Sequence, residues 1–213
     1  MNAVNIVLLG GRWAGKSSCG NTILNKEVFT VGEQIEACVM EKAEVAGMQV
    51  TVVDTPSWSW VSAEDSSDEL KQELKRSVEM LEGGSHVLLL IHPLGSAFIK
   101  RHQIAFQEHL QLLGADVWDR SMVLFSRGDW NPKVNMEQYI DKASEELKWL
   151  MEKSSHRYHV LSNKNRNDLT QVTELLEKIN QMIGRRRRRS KDFRPPAMAQ
   201  EVEEASGAQE ETK

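Results

Sequence analysis

At 213 residues with 40% hydrophobic side chains, the chain is long enough for one well-buried core, and a formal net charge of −4 excludes an overall electrostatic pull toward nucleic acid. Two cysteines, Cys19 and Cys38, exclude a disulfide framework, and no apolar run approaches the roughly 18 residues that a membrane-spanning helix needs. With no charged-then-apolar leader ahead of the first apolar segment, the expected localisation is cytoplasmic, with any membrane contact peripheral to intracellular membranes.

Val4 to Leu9 is an apolar run that predicts a buried strand, and Ser17 to Leu24 predicts a helix with Ile23 and Leu24 on its apolar side. Between them, Gly10-Gly11-Arg12-Trp13-Ala14-Gly15-Lys16-Ser17 matches the phosphate-binding pattern G-x4-G-K-[ST] in the strand–loop–helix context that the pattern requires. Backbone N–H groups of a glycine-permitted turn at a helix N-terminus form a concave anion site. Gly10, Arg12, Trp13, Ala14, Gly15, Lys16, Ser17 and Ser18 are therefore the expected phosphate-side contacts. Lys16 is expected to reach the β and γ phosphates and the Ser17 hydroxyl to coordinate Mg2+.

Phe29 to Cys38 lacks periodicity, after which Val39 to Ala46, Gly47 and Met48 to Val53 read as strand, turn, strand. Leu70, Leu74, Val78 and Leu81 recur at helical spacing up to Gly83-Gly84, and Val87 to Ile91 is a buried strand. Ile104, Leu110, Leu113 and Gly114 predict another helix, Met122 to Phe125 a strand, and Ile140, Ala143, Leu147, Leu150 and Met151 one further helix. Tyr158 to Leu161 is the last predicted strand. Val172, Leu175, Leu176, Ile179 and Ile183 mark a final helix expected to stop at Gly184, ahead of Arg185 to Arg189. The expected organisation is one domain over residues 1–184 followed by a tail over 185–213, polybasic and then acidic and disordered. Strands alternating with helices imply an α/β fold with a mostly parallel sheet covered on both faces and a ligand beyond the strands' carboxyl ends.

Asp54-Thr55-Pro56 at the end of the hairpin supplies a carboxylate toward the metal, so Ser17 and Asp54 form the expected Mg2+ pair; a bare turn is the alternative reading of that tripeptide. Ser126-Arg127-Gly128-Asp129 after a strand is the candidate base loop. An aspartate there can accept two hydrogen bonds from guanine, and adenine offers no such pair. Arg127 can lie flat over the purine, and Asn163 in Ser162-Asn163-Lys164 is the candidate at the base edge; a polar turn is the competing reading of the R-G-D segment.

Taken together, Gly15-Lys16-Ser17-Ser18-Cys19-Gly20-Asn21-Thr22-Ile23-Leu24 resembles the extended P-loop of the GTPases of immunity-associated proteins, an avirulence-induced-gene type of G domain. Val53 to Pro56, Leu94-Gly95, Met122 to Asp129 and Arg157 to Val160 leading to Asn163-Lys164 are in register with it, so the resemblance runs from Val4 to Ile183. It implies a Ras-like P-loop NTPase with a six-stranded sheet, GTP or GDP with Mg2+, a role in immunity, and, as in several relatives, homo-oligomers assembled through the nucleotide face.

The chain departs from that pattern where turnover would be controlled. Ile35-Glu36-Ala37 lacks the first switch's threonine, Ser57 stands where the second switch usually has glycine, Trp58 takes the place of a glutamine, and Ser96 follows Gly95 where many relatives have arginine. No catalytic residue is assigned. The expected function is Mg2+-dependent guanine-nucleotide binding with slow or partner-stimulated GTP hydrolysis; the alternatives are a non-catalytic scaffold that oligomerises through its nucleotide face and an adenine-specific P-loop enzyme. Trp13, Trp58 and Trp60 read either as an aromatic interface or as rings covered by the protein's own loops. The histidines show no metal-ligand spacing. Arg185 to Arg189 with Lys191 reads either as a solvated charge run or as a contact with anionic lipid or RNA.

Overall fold

The computed structural model describes residues 3–81 and 84–192. Gly83, in the pair expected to end the second helix, and the expected disordered stretch from Pro195 to Lys213 lie outside the described residues. Six strands form one sheet: β1 (Ala3–Leu9), β2 (Val39–Val45), β3 (Met48–Asp54), β4 (His86–Pro93), β5 (Ser121–Ser126) and β6 (Tyr158–Val160). Their spatial order is β2-β3-β1-β4-β5-β6, and only the β2–β3 pair is antiparallel.

Alternation along each strand feeds two cores. From β1, Val4, Ile6 and Leu8 join the layer under α1 (Lys16–Leu24) and α6 (Thr170–Asp192), meeting Ile23, Leu175 and Ile179. Val7 and Leu9 point the other way, toward α2 (Asp68–Glu79), α3 (Lys100–Gln111) and α5 (Glu145–Lys153), where Leu74, Phe106, Leu110 and Leu150 are buried. A strand buried on both faces reads as a near-continuous apolar run, as β1 does apart from Asn5 and β4 does from Val87 to Ile91. The expected fold class stands: a Ras-like α/β domain with a mostly parallel sheet between helices.

Two helix boundaries differ from the sequence-based expectation. The single helix predicted around Ile140 to Met151 is two, α4 (Met136–Asp141) and α5. Ser144 breaks it: its hydroxyl accepts from Leu147 N at 3.2 Å to cap α5 and donates to Phe98 O at 2.7 Å, fastening the break to the loop after β4. The last helix does not stop at Gly184 but continues to Asp192, carrying Arg185 to Arg189 as helix. A glycine ends a helix when it takes the left-handed conformation, and Gly184 is absent from the residues with positive φ. The arginines that follow are good helix formers, and Met182 and Ile183 anchor the preceding turn in the core.

Because a Cβ at Gly184 would meet nothing within 4 Å, Gly184→Ala is expected to stabilise the protein by up to about 1 kcal/mol. A higher urea midpoint at unchanged slope would show it; a lower midpoint would mean that the helix does not run through this position in solution.

Candidate functional site

The strand order reverses at β1, whose neighbours are β3 and β4, so the loop leaving its carboxyl end opens at the topological switch point where α/β sheets bind ligands. Gly10 is required there because an added Cβ would sit 2.9 Å from Ile91 O and 3.3 Å from the Ala14 Cβ. Two left-handed residues curl the loop: Trp13 at φ 65°, with its ring exposed, and Gly15 at φ 88°, which starts α1. Only the second is glycine, so the first stores backbone strain of the kind that collects at ligand sites. Arg12 N donates to Trp58 O at 3.1 Å, and Ser126 Oγ donates to Ala14 O at 2.7 Å, tying the loop to the segment after β3 and to the end of β5.

Lys16 is 5% exposed, and burial outweighs the attraction of Asp54 to bring its ammonium pKa down to about 8. Its ammonium contacts the Ser57 hydroxyl, a partner that glycine at this position could not provide. Asp54 lies level with Leu8 in the β1–β3 register and is 1% exposed. Burial raises its pKa, opposed by the Ser17 hydrogen bond and the Lys16 charge. Ser17 Oγ donates to Asp54 Oδ2 at 2.5 Å, while the buried Asp54 Oδ1 has no partner among the described residues. An orphaned carboxylate oxygen beside a hydroxyl fits Mg2+, which takes few protein oxygens and keeps water and phosphate as its other ligands. Among the described residues no cluster of three His, Cys, Asp or Glu offers a fuller cage.

The extended P-loop sequence has a structural use at each step. Gly20 lets Phe29 and Leu8 pack against α1, since an added Cβ would come within 2.7 Å of the Phe29 ring. Asn21 clamps the following loop, accepting from Val28 N at 3.0 Å and Phe29 N at 2.8 Å and donating to Phe29 O at 2.9 Å. Ser18 accepts a back-bond from Thr22 Oγ1 through its carbonyl at 3.0 Å. Thr22 Oγ1 also contacts Asn163 Oδ1 at 2.9 Å, and Asn163 Nδ2 donates to Cys19 Sγ at 3.4 Å. Asn163 is thus held against α1 beside Gly15. Thr22 and Cys19 are the residues that the sequence-based site left out; their place in the motif was the available signal. Burial pushes the Cys19 thiol up to about 12, so it acts as an apolar backstop.

In the loop expected to meet the base, Arg127 takes a left-handed conformation (φ 58°) before the short 3-10 turn Gly128–Trp130, and Gly128 N donates to Leu161 O at 3.0 Å. A Cβ on Gly128 would crowd Val160, Leu161 and Ser162, so glycine permits the loops after β5 and β6 to meet. Asp129 pairs with Lys164 at 3.0 Å, which holds its carboxyl below the usual range. Asp129, Ser126, Asn163 and the phosphate loop are therefore gathered at one edge of the sheet.

The tryptophans separate. Trp58 is fully buried, stacked on His109 (centroids 4.7 Å apart, 10° between planes) and edge-on to Phe106 at 5.2 Å. This corrects the interface reading for Trp58: a ring inside the core has no surface to offer. Trp60 is half-buried over Gly11 and edge-on to His102 at 4.3 Å. Trp13 is 79% exposed and remains on the surface of the nucleotide edge, as does Trp130 at 57%. Trp58→Ala is therefore expected to cost about 3–5 kcal/mol of stability, as truncating a fully buried aromatic does. Urea unfolding checks it, and a loss under about 1 kcal/mol would contradict the core placement.

The AIG1 family model matches residues 4–212 of this chain. Immune-associated nucleotide-binding protein 5 of Arabidopsis thaliana is 29% identical over 182 residues, covering 84% of this chain and 58% of that protein. GTPase IMAP family member 8 of Homo sapiens is 30% identical over 192 residues, covering 86% of this chain and 28% of that protein. The chain thus spans little more than half of one relative and under a third of the other. Among solved structures, Toc33 from Arabidopsis thaliana in complex with GDP and Mg2+ has a TM-score of 0.65 at 20% identity, over 85% of this chain and 84% of that one. The FeoB G-domain from Methanococcus jannaschii has a TM-score of 0.53 at 18% identity, over 86% and 99%. Those likenesses carry the fold, and the family match carries membership: the chain belongs to the AIG1 family.

Proposed function

We propose that the chain is a Mg2+-dependent guanine-nucleotide-binding protein, with GTP turnover that is slow or stimulated by a partner, acting as a nucleotide-regulated assembly module in immunity. The observation that carries this reading is the buried Lys16–Ser17–Asp54 cluster with its orphaned Asp54 Oδ1, on the same edge as Asp129. Lys16 would exchange Ser57 for phosphate oxygens, and inward amides from Gly10 to Ser18 would hold the rest of the phosphate chain. Ser17 and Asp54 would hold Mg2+, which when bound neutralises charge on the β and γ phosphates. Asp129 would leave Lys164 to accept from the guanine ring N–H and amino group, with Arg127 over the purine and Asn163 at its edge. Relatives named for nucleotide binding and GTPase activity, and Toc33 with GDP and Mg2+, support this reading.

In calorimetry with Mg2+, GDP and GTP are expected to bind and ATP not to compete. Lys16→Ala should abolish binding, whereas Asp129→Ala should weaken GDP by roughly tenfold or more through the unpaired base edge, leaving pyrophosphate competition unchanged. Folded protein that ignores both guanine nucleotides would end the proposal.

A scaffold that binds without hydrolysing is favoured by the switch region. Ile35 to Ala37 lie in irregular chain without threonine, and Trp58, buried with its ring, cannot orient a water as a glutamine would. Dimerisation is important for the GTPase activity of atToc33 and psToc159, and the exposed Trp13 on the phosphate loop supports a homo-oligomer through the nucleotide face here. Trp13→Ala is expected to abolish a sedimentation shift induced by a GTP analogue. Single-turnover phosphate release that rises with protein concentration supports partner-stimulated turnover, none at any concentration supports the scaffold, and fast concentration-independent release would refute both.

A further inference from the structure

At the amino ends of β5 and β6, away from the phosphate loop, a cleft of about 590 Å3 opens between the loop preceding β6 and the C-terminal half of α6. Arg157, Lys178, Arg185, Arg186 and Arg189 line it, and Asp119 is the carboxylate in its wall. Lys178, Arg185 and Arg189 recur at helical spacing on one face of α6, while Arg187 and Arg188 lie off the cleft. The run that looks uniform in sequence is therefore sorted by the helix into a lining set and an outer set.

Arg157 forms the fixed part of the wall. Its Nε donates to Ser121 O at 2.9 Å and its Nη2 to Trp118 O at 2.7 Å, so carbonyls hold it rather than a carboxylate. Burial lowers its pKa, Asp119 opposes this, and Arg189 and Arg186 lower it further, so the three guanidinium groups share one field. Arg186 also pairs with Asp116 at 2.8 Å. Arg185 and Arg189 have no hydrogen-bond or ion-pair partner among the described residues. Five cations against Asp119 and Asp116 leave a concentrated positive charge in a chain whose net charge is −4.

We propose that this cleft is a second anion site, built for a compact ligand bearing several phosphates, such as a phosphorylated inositol headgroup or its soluble counterpart. Forked guanidinium groups converging from a fixed loop and a helix match clustered phosphate oxygens, which accept paired N–H donors. The five lining cations come from a loop and one helix face and converge on a cleft, a geometry for a compact anion rather than the extended basic stripe that a nucleic-acid strand follows. Nothing in the site depends on the nucleotide reading, because the two share no residue.

Titrating the full chain with inositol trisphosphate by calorimetry, with GDP and Mg2+ present, tests the proposal. Arg185→Ala/Arg189→Ala should weaken binding by roughly tenfold or more, while Arg187→Ala/Arg188→Ala, of identical charge change, should leave it within about twofold. Absence of binding by the unmodified chain, or equal weakening by both pairs, would overturn the site. Flotation with phosphatidylcholine vesicles containing phosphatidylinositol bisphosphate separates the sources. Preference over charge-matched phosphatidylserine vesicles, competed by inositol trisphosphate, indicates the lipid headgroup, and binding of the soluble probe alone indicates the free anion.

Discussion

Two buried charges of opposite sign, each held at a cost, organise the carboxyl edge of this sheet. Lys16 and Asp54 are nearly inaccessible, and in both cases desolvation is the largest influence on the pKa, lowering the one and raising the other. Their mutual attraction and the Ser17 hydrogen bond offset only part of that cost. A phosphate beside the ammonium and a divalent cation beside the carboxylate would each relieve one side of it, which is what the proposed nucleotide with Mg2+ would supply.

The surrounding layer keeps that arrangement rigid. α1 is held by Asn21 around the Val28–Phe29 backbone and by the close approach that Gly20 allows, and Thr22 with Cys19 fixes Asn163 from behind. Ser126 joins the end of β5 to the phosphate loop through Ala14 O. A site assembled from β1, β3, β5 and the loop after β6 is held by hydrogen bonds spanning more than a hundred residues of sequence.

The two segments expected to respond to nucleotide are fastened unequally. After Asp54 the chain is pinned on α3: Trp58 stacks on His109, Ser66 Oγ meets His109 Nε2 at 2.7 Å, and Ala63 N donates to Glu108 Oε2 at 2.7 Å. Ahead of β2 the segment is anchored at its two ends, by the Asn21 clamp on Phe29 and by the Cys38 N–H donating to Glu73 Oε2 at 2.7 Å, while Ile35 to Ala37 between them carry no hydrogen bond among the described residues. Ring stacking and hydrogen bonds to α3 thus hold the second segment along its length, and hydrogen bonds hold the first at its ends.

Apolar runs and a glycine–lysine–serine turn determined the sheet, the P-loop and the meeting of Ser17 with Asp54, because strand periodicity, backbone φ and the position of a strand end are local properties. Asp129 and Asn163 were likewise readable as candidates from their places after β5 and β6. Tertiary packing decided the rest. Trp58 went into the core because α3 supplied His109 and Phe106, partners more than 40 residues away. Ser144 split a continuous apolar period because Phe98 O gave its hydroxyl a second bond. Gly184 did not end α6, and which arginines share a cleft with Arg157 depended on where that helix lies against the start of β6. Such outcomes turn on long-range neighbours that burial and charge select only after the chain has folded.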